Sequence, residues 1–321
     1  MEPETIFTRR HALRLLGASA LVPLVPGCAR LPSGAGAITG SGPQITVSMT
    51  VRGQILQNSI AGRNFYYFFL FNLTDNPTDP GPIPVITAPF GNGFAAPNNS
   101  TNSQGGRAQG FVGFVLYCPV IVGAIGYGLY TVPANPAIPG QLMDVTTLSL
   151  NGGFIGPTAL DSYTPVLQNG SVLSFRLSLN RLPYPTSYGP VTSPSPSATP
   201  TPTPTPSPTP SAGSLPRSLQ FNILTTDDIP QGGDVNVEKL WDALGNGLQA
   251  ESTNTDTQLA PYVVIDLTQN TSIDNLYFSA TPSKFEVAGD VYNQGTPAND
   301  ADYPNDPNLD IVDWSLQVTT G

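Results

Sequence analysis

Phe65-Tyr66-Tyr67-Phe68-Phe69-Leu70-Phe71 is the stretch on which the reading of the fold turns. A strand points successive side chains to opposite faces, so an unbroken run of large apolar residues suits a strand covered on both sides. Aromatic residues also fit a pleated surface better than a helix interior. Upstream, Ile45, Val47, Met49 and Val51 alternate with polar residues, the period of a half-buried strand. Downstream, Val172, Phe175, Leu177 and Leu179 mark another strand. Leu219, Phe221 and Ile223 mark a further one, and Tyr262–Leu267 and Trp314, Leu316 and Val318 extend the set. Turn residues punctuate them at Asp79-Pro80-Gly81-Pro82, Asn151-Gly152-Gly153 and Asn169-Gly170. Only Val237–Leu244 (VEKLWDAL) reads as a helix, with Gly245 or Gly247 to stop it. The expected fold is all-β: an antiparallel β-sandwich with one short helix.

Composition narrows the function classes. Charged residues are 11% of the 321, against 35 Pro and 32 Gly, which excludes a coiled coil and a basic nucleic-acid binder. The 22 residues Phe111–Val132 carry no charge and are long enough to raise the question of a membrane helix. Pro119 and Gly113, Gly123, Gly126 and Gly128 favour two buried strands broken near Pro119 instead.

The N-terminus carries an address. Thr8-Arg9-Arg10-His11-Ala12-Leu13-Arg14 precedes an apolar stretch from Leu15 to Pro26, too short to span a bilayer. The Arg9-Arg10 pair with Leu13 resembles the twin-arginine export motif, and Val25-Pro26-Gly27-Cys28 resembles a lipobox. The resemblance implies a bacterial lipoprotein: export through Arg9 and Arg10, lipidation at Cys28, and a location in the cell envelope, periplasmic or on the outer surface. The alternative is a plain secretory signal with a free Cys28. In the processed chain His11, the single His, is gone, so no Ser-His-Asp triad or His metal site remains. Cys118, within an apolar run, is expected to be a buried, inert thiol.

Residues 29–43 read as a flexible tether. Within the Pro/Thr-rich segment 191–214, eight Pro fall in the 17 residues from Pro194 to Pro210. Such a run favours polyproline II and could span roughly 50 Å. Charge divides across it: residues 29–210 carry net +2 and residues 211–321 net −13. The segment is either a linker between two β domains or an insertion within one discontinuous sandwich formed by 44–190 and 215–321. Joined directly, Ser171–Leu182 with its Leu179-Asn-Arg-Leu-Pro183 end and Leu219–Asp228 resemble the late strands of DOMON-type and family-9-type carbohydrate-binding sandwiches. That resemblance implies a single sandwich, in which Ile45–Val51 and Trp314–Val318 pair as first and last strands. Haem, found in some DOMON-type domains, would need an axial ligand, and the processed chain offers Met49 and Met143 but no His.

Candidate sites lie in the acidic half. Asp300, Asp302, Asp306 and Asp310, with Asn299, Asn305 and Asn308, offer loop oxygens of the kind Ca²⁺ takes, although the EF-hand Gly and Glu are missing. The competing reading is a solvated Asp/Asn turn beside Pro304 and Pro307. Tyr262, Tyr292 and Tyr303 lie near polar segments and are candidates to stack on a sugar ring. Trp241 and Trp314 fit core positions. Asp227, Asp228, Asp234, Glu238 and Asp242 supply carboxylates for a glycoside hydrolase, but no spacing singles out a pair. The chain is therefore expected to be no enzyme and to need no cofactor, with Ca²⁺ as an option. Its expected role is to bind carbohydrate or a cell-envelope polymer while held to the membrane by a lipid. The alternative is an adhesion or assembly subunit that pairs with an envelope protein through β-edges. The net charge of −13 in the acidic half argues against nucleic acid as a partner.

Overall fold

The computed structural model describes residues 42–60, 62–75, 81–84, 95–96, 111–138, 142–143, 148, 150, 152–184, 215–227, 239–244, 262–276, 286, 288–294 and 306–320. In chain order, the first half supplies β1 (Gln44–Val51), β2 (Tyr66–Thr74), β3 (Ile83–Pro84), β4 (Ala95–Ala96), β5 (Gly113–Tyr117), helix α1 (Pro119–Val122), β6 (Tyr127–Thr131), β7 (Ile155–Thr158), β8 (Ser162–Tyr163) and β9 (Val172–Ser178). The second half supplies β10 (Ser218–Thr226), β11 (Lys239–Ala243), β12 (Val263–Asp266), β13 (Thr271–Asp274), β14 (Tyr292–Gln294) and β15 (Ile311–Thr319). All the pairings between them are antiparallel.

Two sheets face each other. A five-stranded sheet runs β13-β15-β1-β9-β8, and an eight-stranded one runs β14-β11-β10-β2-β5-β6-β7, with β12 sharing an edge of β10 with β11. The expected pairing of the first and last long strands is present: Val47 lies opposite Leu316 and Met49 opposite Trp314. On its other side β1 sets Val47 opposite Phe175. Alternation then puts Ile45, Val47, Met49, Leu173, Phe175, Leu177, Trp314, Leu316 and Val318 on one face, all buried. Rings from the second sheet close on that face. Phe69 meets Phe175 edge-on at 4.9 Å between centroids, and Phe221 meets Trp314 at 6.3 Å.

All nine residues of β2 are buried, and the reason is a second covering layer. Phe69 and Phe71 point to the other sheet, whereas Phe68 points away and packs on Phe114 at 5.5 Å. Phe154 covers Phe114 in turn, at 5.1 Å. Polar residues on this outer side are paired: Asn72 Nδ2 donates to Gln220 Oε1 at 2.7 Å, and Asn222 Nδ2 to the Pro82 carbonyl at 2.8 Å. Phe111–Val132 forms β5 and β6 as expected, with Pro119 opening α1 between them. Gly126, at φ 79°, closes that hairpin, and a Cβ there would meet the Tyr117 ring at 2.5 Å. Among the described residues no helix is long and apolar enough to cross a membrane.

The helix expected over Val237–Leu244 is not formed; Lys239–Ala243 is strand β11. Leu240, Trp241, Ala243 and Leu244 are all buried, more apolar surface than one helix stripe would hide. The open edge of β10 supplies the pairing, with Leu224–Thr226 opposite Trp241–Ala243. Side chains add to it: Thr226 Oγ1 donates to the Leu240 carbonyl at 2.9 Å, and Leu240 N donates to Asp227 Oδ1 at 2.8 Å. Tertiary pairing here overrides local helix propensity. The one α-helix of the described residues is α1, where the sequence pattern predicts a break between strands.

The sheets have two distinguishable ends. Gly42 and Pro43, just before β1, line a cavity of about 330 Å³ with Asn180, Leu215, Pro216, Arg217, Leu267 and Thr268. Asp75 ties the same end together: Tyr184 donates to its Oδ2 at 2.6 Å and Arg217 N to its Oδ1 at 2.8 Å. Tyr184 and Arg217, on either side of the Pro/Thr-rich segment, thus meet at one carboxylate. We call this the tether end. The far end lies the length of β1 away, about 24 Å at 3.4 Å per residue.

At the far end the turn 306–310 plugs the space between the sheets. Tyr67 Oη donates to the Asn308 carbonyl at 3.1 Å and accepts from Leu56 N at 3.1 Å, and Thr225 Oγ1 donates to the Leu309 carbonyl at 2.5 Å. Tyr67→Phe is expected to lower stability by about 1–2 kcal/mol, because the buried Leu56 N–H and the half-buried Asn308 carbonyl both lose their partner. Urea unfolding with an unchanged m-value would register it.

Candidate functional site

The far end holds the densest set of buried charge in the described structure. Asp242, on β11, is fully buried, and its Oδ2 accepts from Ile311 N at 2.6 Å, linking the two sheets. Ligand oxygens of Asp242, Glu286 and Asp290 all lie within 4.8 Å of one another. Glu286 is fully buried and is held by Asn275: Asn275 Oδ1 accepts from Glu286 N at 2.7 Å, and Asn275 Nδ2 donates to the Glu286 carbonyl at 3.0 Å. Asp290 also sits near Asp310, whose two oxygens accept from Gly289 N at 3.1 and 3.0 Å.

Among the described residues a basic side chain, Arg52, pairs with Asp310 beside this group. Arg52 Nε lies 2.5 Å from Asp310 Oδ2, with Asp310 fully buried and Arg52 partly in solvent. A second pair at the same end, Arg63 with Asp227, is separate. Burial pushes Asp242 well above the usual carboxylate range. The neighbouring charges of Asp290 and Asp310 push the same way, while N–H groups of Ile311 and Ala243 pull it back. Asp290 and Asp310 are also raised, each mainly by burial; the Glu286 side chain opposes this at Asp290 and Arg52 opposes it at Asp310.

The sign of the consequence follows. A carboxyl raised in the folded state binds its proton more tightly folded than unfolded. Its contribution to stability is therefore complete below the ordinary value of 3.8 and is lost as pH rises through the raised value. In chelator, the thermal midpoint is expected to fall as pH rises above the ordinary carboxylate value of 3.8, and Asp242→Asn, which carries no charge to desolvate, is expected to flatten that fall.

The residues singled out from the sequence fare differently. Asp306 and Asp310 are placed, but the three-carboxylate group contains neither. Asp306 Oδ1 accepts from Asn308 N at 2.9 Å, closing a local turn, and Asp310 is engaged by Arg52 and Gly289. Asp300 and Asp302 lie outside the described residues, as do Tyr303, Cys28, Arg9 and Arg10. Tyr262 is half-buried with its ring against Gly81, where an added Cβ would come within 2.4 Å of it. Tyr292 is on β14 opposite Trp241. Cys118 is buried and free, and burial pushes its thiol up, the setting of an inert cysteine. The sequence reading missed Glu286 and Asp290 altogether and placed Asp242 on a helix. A signal existed in Asp242: an acid between Leu240-Trp241 and Ala243-Leu244, flanked on both sides by core residues.

Two loops meet at the far end. Residues 52–65 connect β1 to β2, and residues 164–171 connect β8 to β9. Gln57 Nε2 donates to the Val166 carbonyl at 3.2 Å, and Ile55 N to the Gly170 carbonyl at 2.7 Å. Their outer surface presents Asn58 with two large aliphatic side chains, Ile60 (49% exposed) and Leu167 (75% exposed). By contrast, the described rings of Tyr66, Tyr67, Tyr117, Tyr127 and Tyr130 are core.

Comparison with family models, with curated proteins and with solved structures finds no match to this chain.

Proposed function

We propose that this chain is an exported, lipid-anchored, non-catalytic surface protein that binds carbohydrate or another cell-envelope polymer with the end of the sandwich opposite its tether. The observation that carries the reading is the division of labour between the two ends. Residues 42–43, leading from the tether and Cys28, and residues 184 and 215–217, flanking the Pro/Thr segment, gather at one end. The other end, about 24 Å away along β1, presents the Asn58, Ile60 and Leu167 surface. An exposed amide and exposed aliphatic groups on loops of one end suit a ligand that is apolar on one face and hydrogen-bonding at its rim, as a pyranose is.

In this reading 44–190 and 215–321 form one discontinuous sandwich, and 191–214 leaves and returns as an insertion. Its support is the pairing of β1 with β15 and of β2 with β10, each across the Pro/Thr segment. Loop-closure cost grows only slowly with length, so such an excursion is tolerated.

Assembly through β-edges has less behind it. The long strands β1, β2, β10 and β15 are all flanked by neighbours, and the outermost strands β7, β8, β13 and β14 have two to four residues. β7 also carries Pro157, which has no N–H to donate to an added strand.

Two experiments test the proposal. Retention of the chain from Ala29 onward on one member of a panel of insoluble polysaccharides or isolated envelope supports binding; retention on none contradicts it. For the anchor, radiolabelled palmitate is expected in the wild-type protein and not in Cys28→Ser. Equal labelling of both would overturn the lipidation at Cys28.

A further inference from the structure

We infer that Asp242, Glu286 and Asp290 form a calcium site, a site distinct from the acidic loop Asp300–Asp310 and independent of the polymer-binding reading above. The first support is distance. Ca²⁺ sits about 2.3–2.6 Å from each oxygen, so two of its ligands stand at most about 5 Å apart. The three carboxylates meet that condition, with ligand oxygens within 4.8 Å of one another. Mg²⁺ demands near-ideal octahedral geometry and dehydrates reluctantly, so it is less suited to a site built mainly of protein carboxylates. All the donors are carboxylate oxygens, the chemistry of a hard cation rather than of zinc or copper.

The second support is independent of the clustering. Asp242 is fully buried, Ile311 N serves its Oδ2, and its Oδ1 has no hydrogen-bond partner among the described residues. Leaving a buried carboxylate oxygen unmatched is costly, and native structures rarely do so without an ion or water there. Among the described residues, the guanidinium of Arg52 is engaged by Asp310, which is outside the three. A divalent cation bound among the three acids would supply the partner that Asp242 Oδ1 lacks. The scaffold is suited to hold it: Asp242 is on a paired strand, and Asn275 fixes the backbone of Glu286.

The competing account is a set of carboxyl groups that share protons and bind no ion. Thermal unfolding of the full chain at pH 7 separates the two, in chelator, in about 1 mM Ca²⁺ and in about 1 mM Mg²⁺. Calcium is expected to raise the midpoint by roughly 5 °C or more and magnesium by much less. Asp242→Asn keeps an acceptor for Ile311 N and removes a buried charge. It is expected to unfold in chelator at or above the wild-type midpoint and to show no calcium shift. A merely structural Asp242 would instead give a variant that is weaker in both buffers. As a second readout, Tb³⁺ luminescence excited through Trp241, the neighbour of Asp242, is expected in the wild type, displaced by excess Ca²⁺ and absent from Asp242→Asn. No calcium shift in the wild type, together with no displaceable Tb³⁺ signal, would overturn the site and leave the proton-sharing account.

Discussion

Phe175→Ala is expected to destabilise the protein by about 3–5 kcal/mol, the range for truncating a buried aromatic residue. Phe175 is fully buried on β9 at the point where the two sheets come closest in ring contacts. Phe69 meets it at 4.9 Å, Tyr127 at 6.2 Å and Phe71 at 6.5 Å, so three rings from two strands of the opposite sheet, β2 and β6, rest on one side chain. The neighbours on its own sheet, Val47 opposite and Leu173 and Leu177 two residues away, are held by strand pairing and are poorly placed to collapse into the space. Urea unfolding measures the loss. A cost below about 1 kcal/mol would mean that the sheets do not pack through this residue.

Asn275→Ala is the second large effect, expected at about 2–4 kcal/mol. Asn275 is 2% exposed and makes three bonds to backbone atoms: from Glu286 N, to the Glu286 carbonyl, and to the Val312 carbonyl at 3.2 Å. Alanine removes the side-chain partner of all three and offers nothing in return, which costs more than the bonds themselves contribute. The substitution also releases the segment that carries Glu286, so any calcium-dependent rise in midpoint is expected to shrink alongside the stability. Asn275→Asp keeps the acceptor for Glu286 N but loses both donated bonds and adds charge near buried acids. It is expected to be at least as damaging. An alanine variant within about 0.5 kcal/mol of wild type would show that this clamp is not made.

How much of this was legible in the sequence depends on the physical signal each element emits. Strands with one buried face announce themselves by alternation, and β1, β9 and β15 were read where they lie; β10 alternates in sequence too, although its polar side is also buried. The run 65–71 was readable as doubly covered, although what covers its outer side, Phe114 and Phe154, is distant in sequence and was not. Lys239–Ala243 was misread because its burial comes from a strand edge offered by β10, and no local pattern reports such an edge. The acidic group was invisible for a similar reason. Asp242, Glu286 and Asp290 span 48 positions and converge only through the pairing of β11 and the Asn275 clamp. Sequence density pointed instead to Asp300–Asp310, where Asp306 serves its own turn and Asp310 serves Arg52 and Gly289. Closely spaced acids along a chain are mostly solvated turns, whereas a buried acid between core residues is costly and therefore informative.

The most direct test of the central claim, that the end opposite the tether binds an envelope polymer, is retention on the polysaccharide and envelope panel for three proteins compared side by side. They are the chain from Ala29 onward, the far-end double variant Asn58→Ala with Leu167→Ala, and the tether-end variant Arg217→Ala. These positions are exposed, so all three proteins are expected to stay folded. The account predicts that wild type and the tether-end variant are retained on the same polymer and that the far-end variant loses at least about tenfold in affinity, roughly 1.4 kcal/mol. Retention that survives the far-end substitutions and disappears with Arg217→Ala would place binding at the tether end and contradict it.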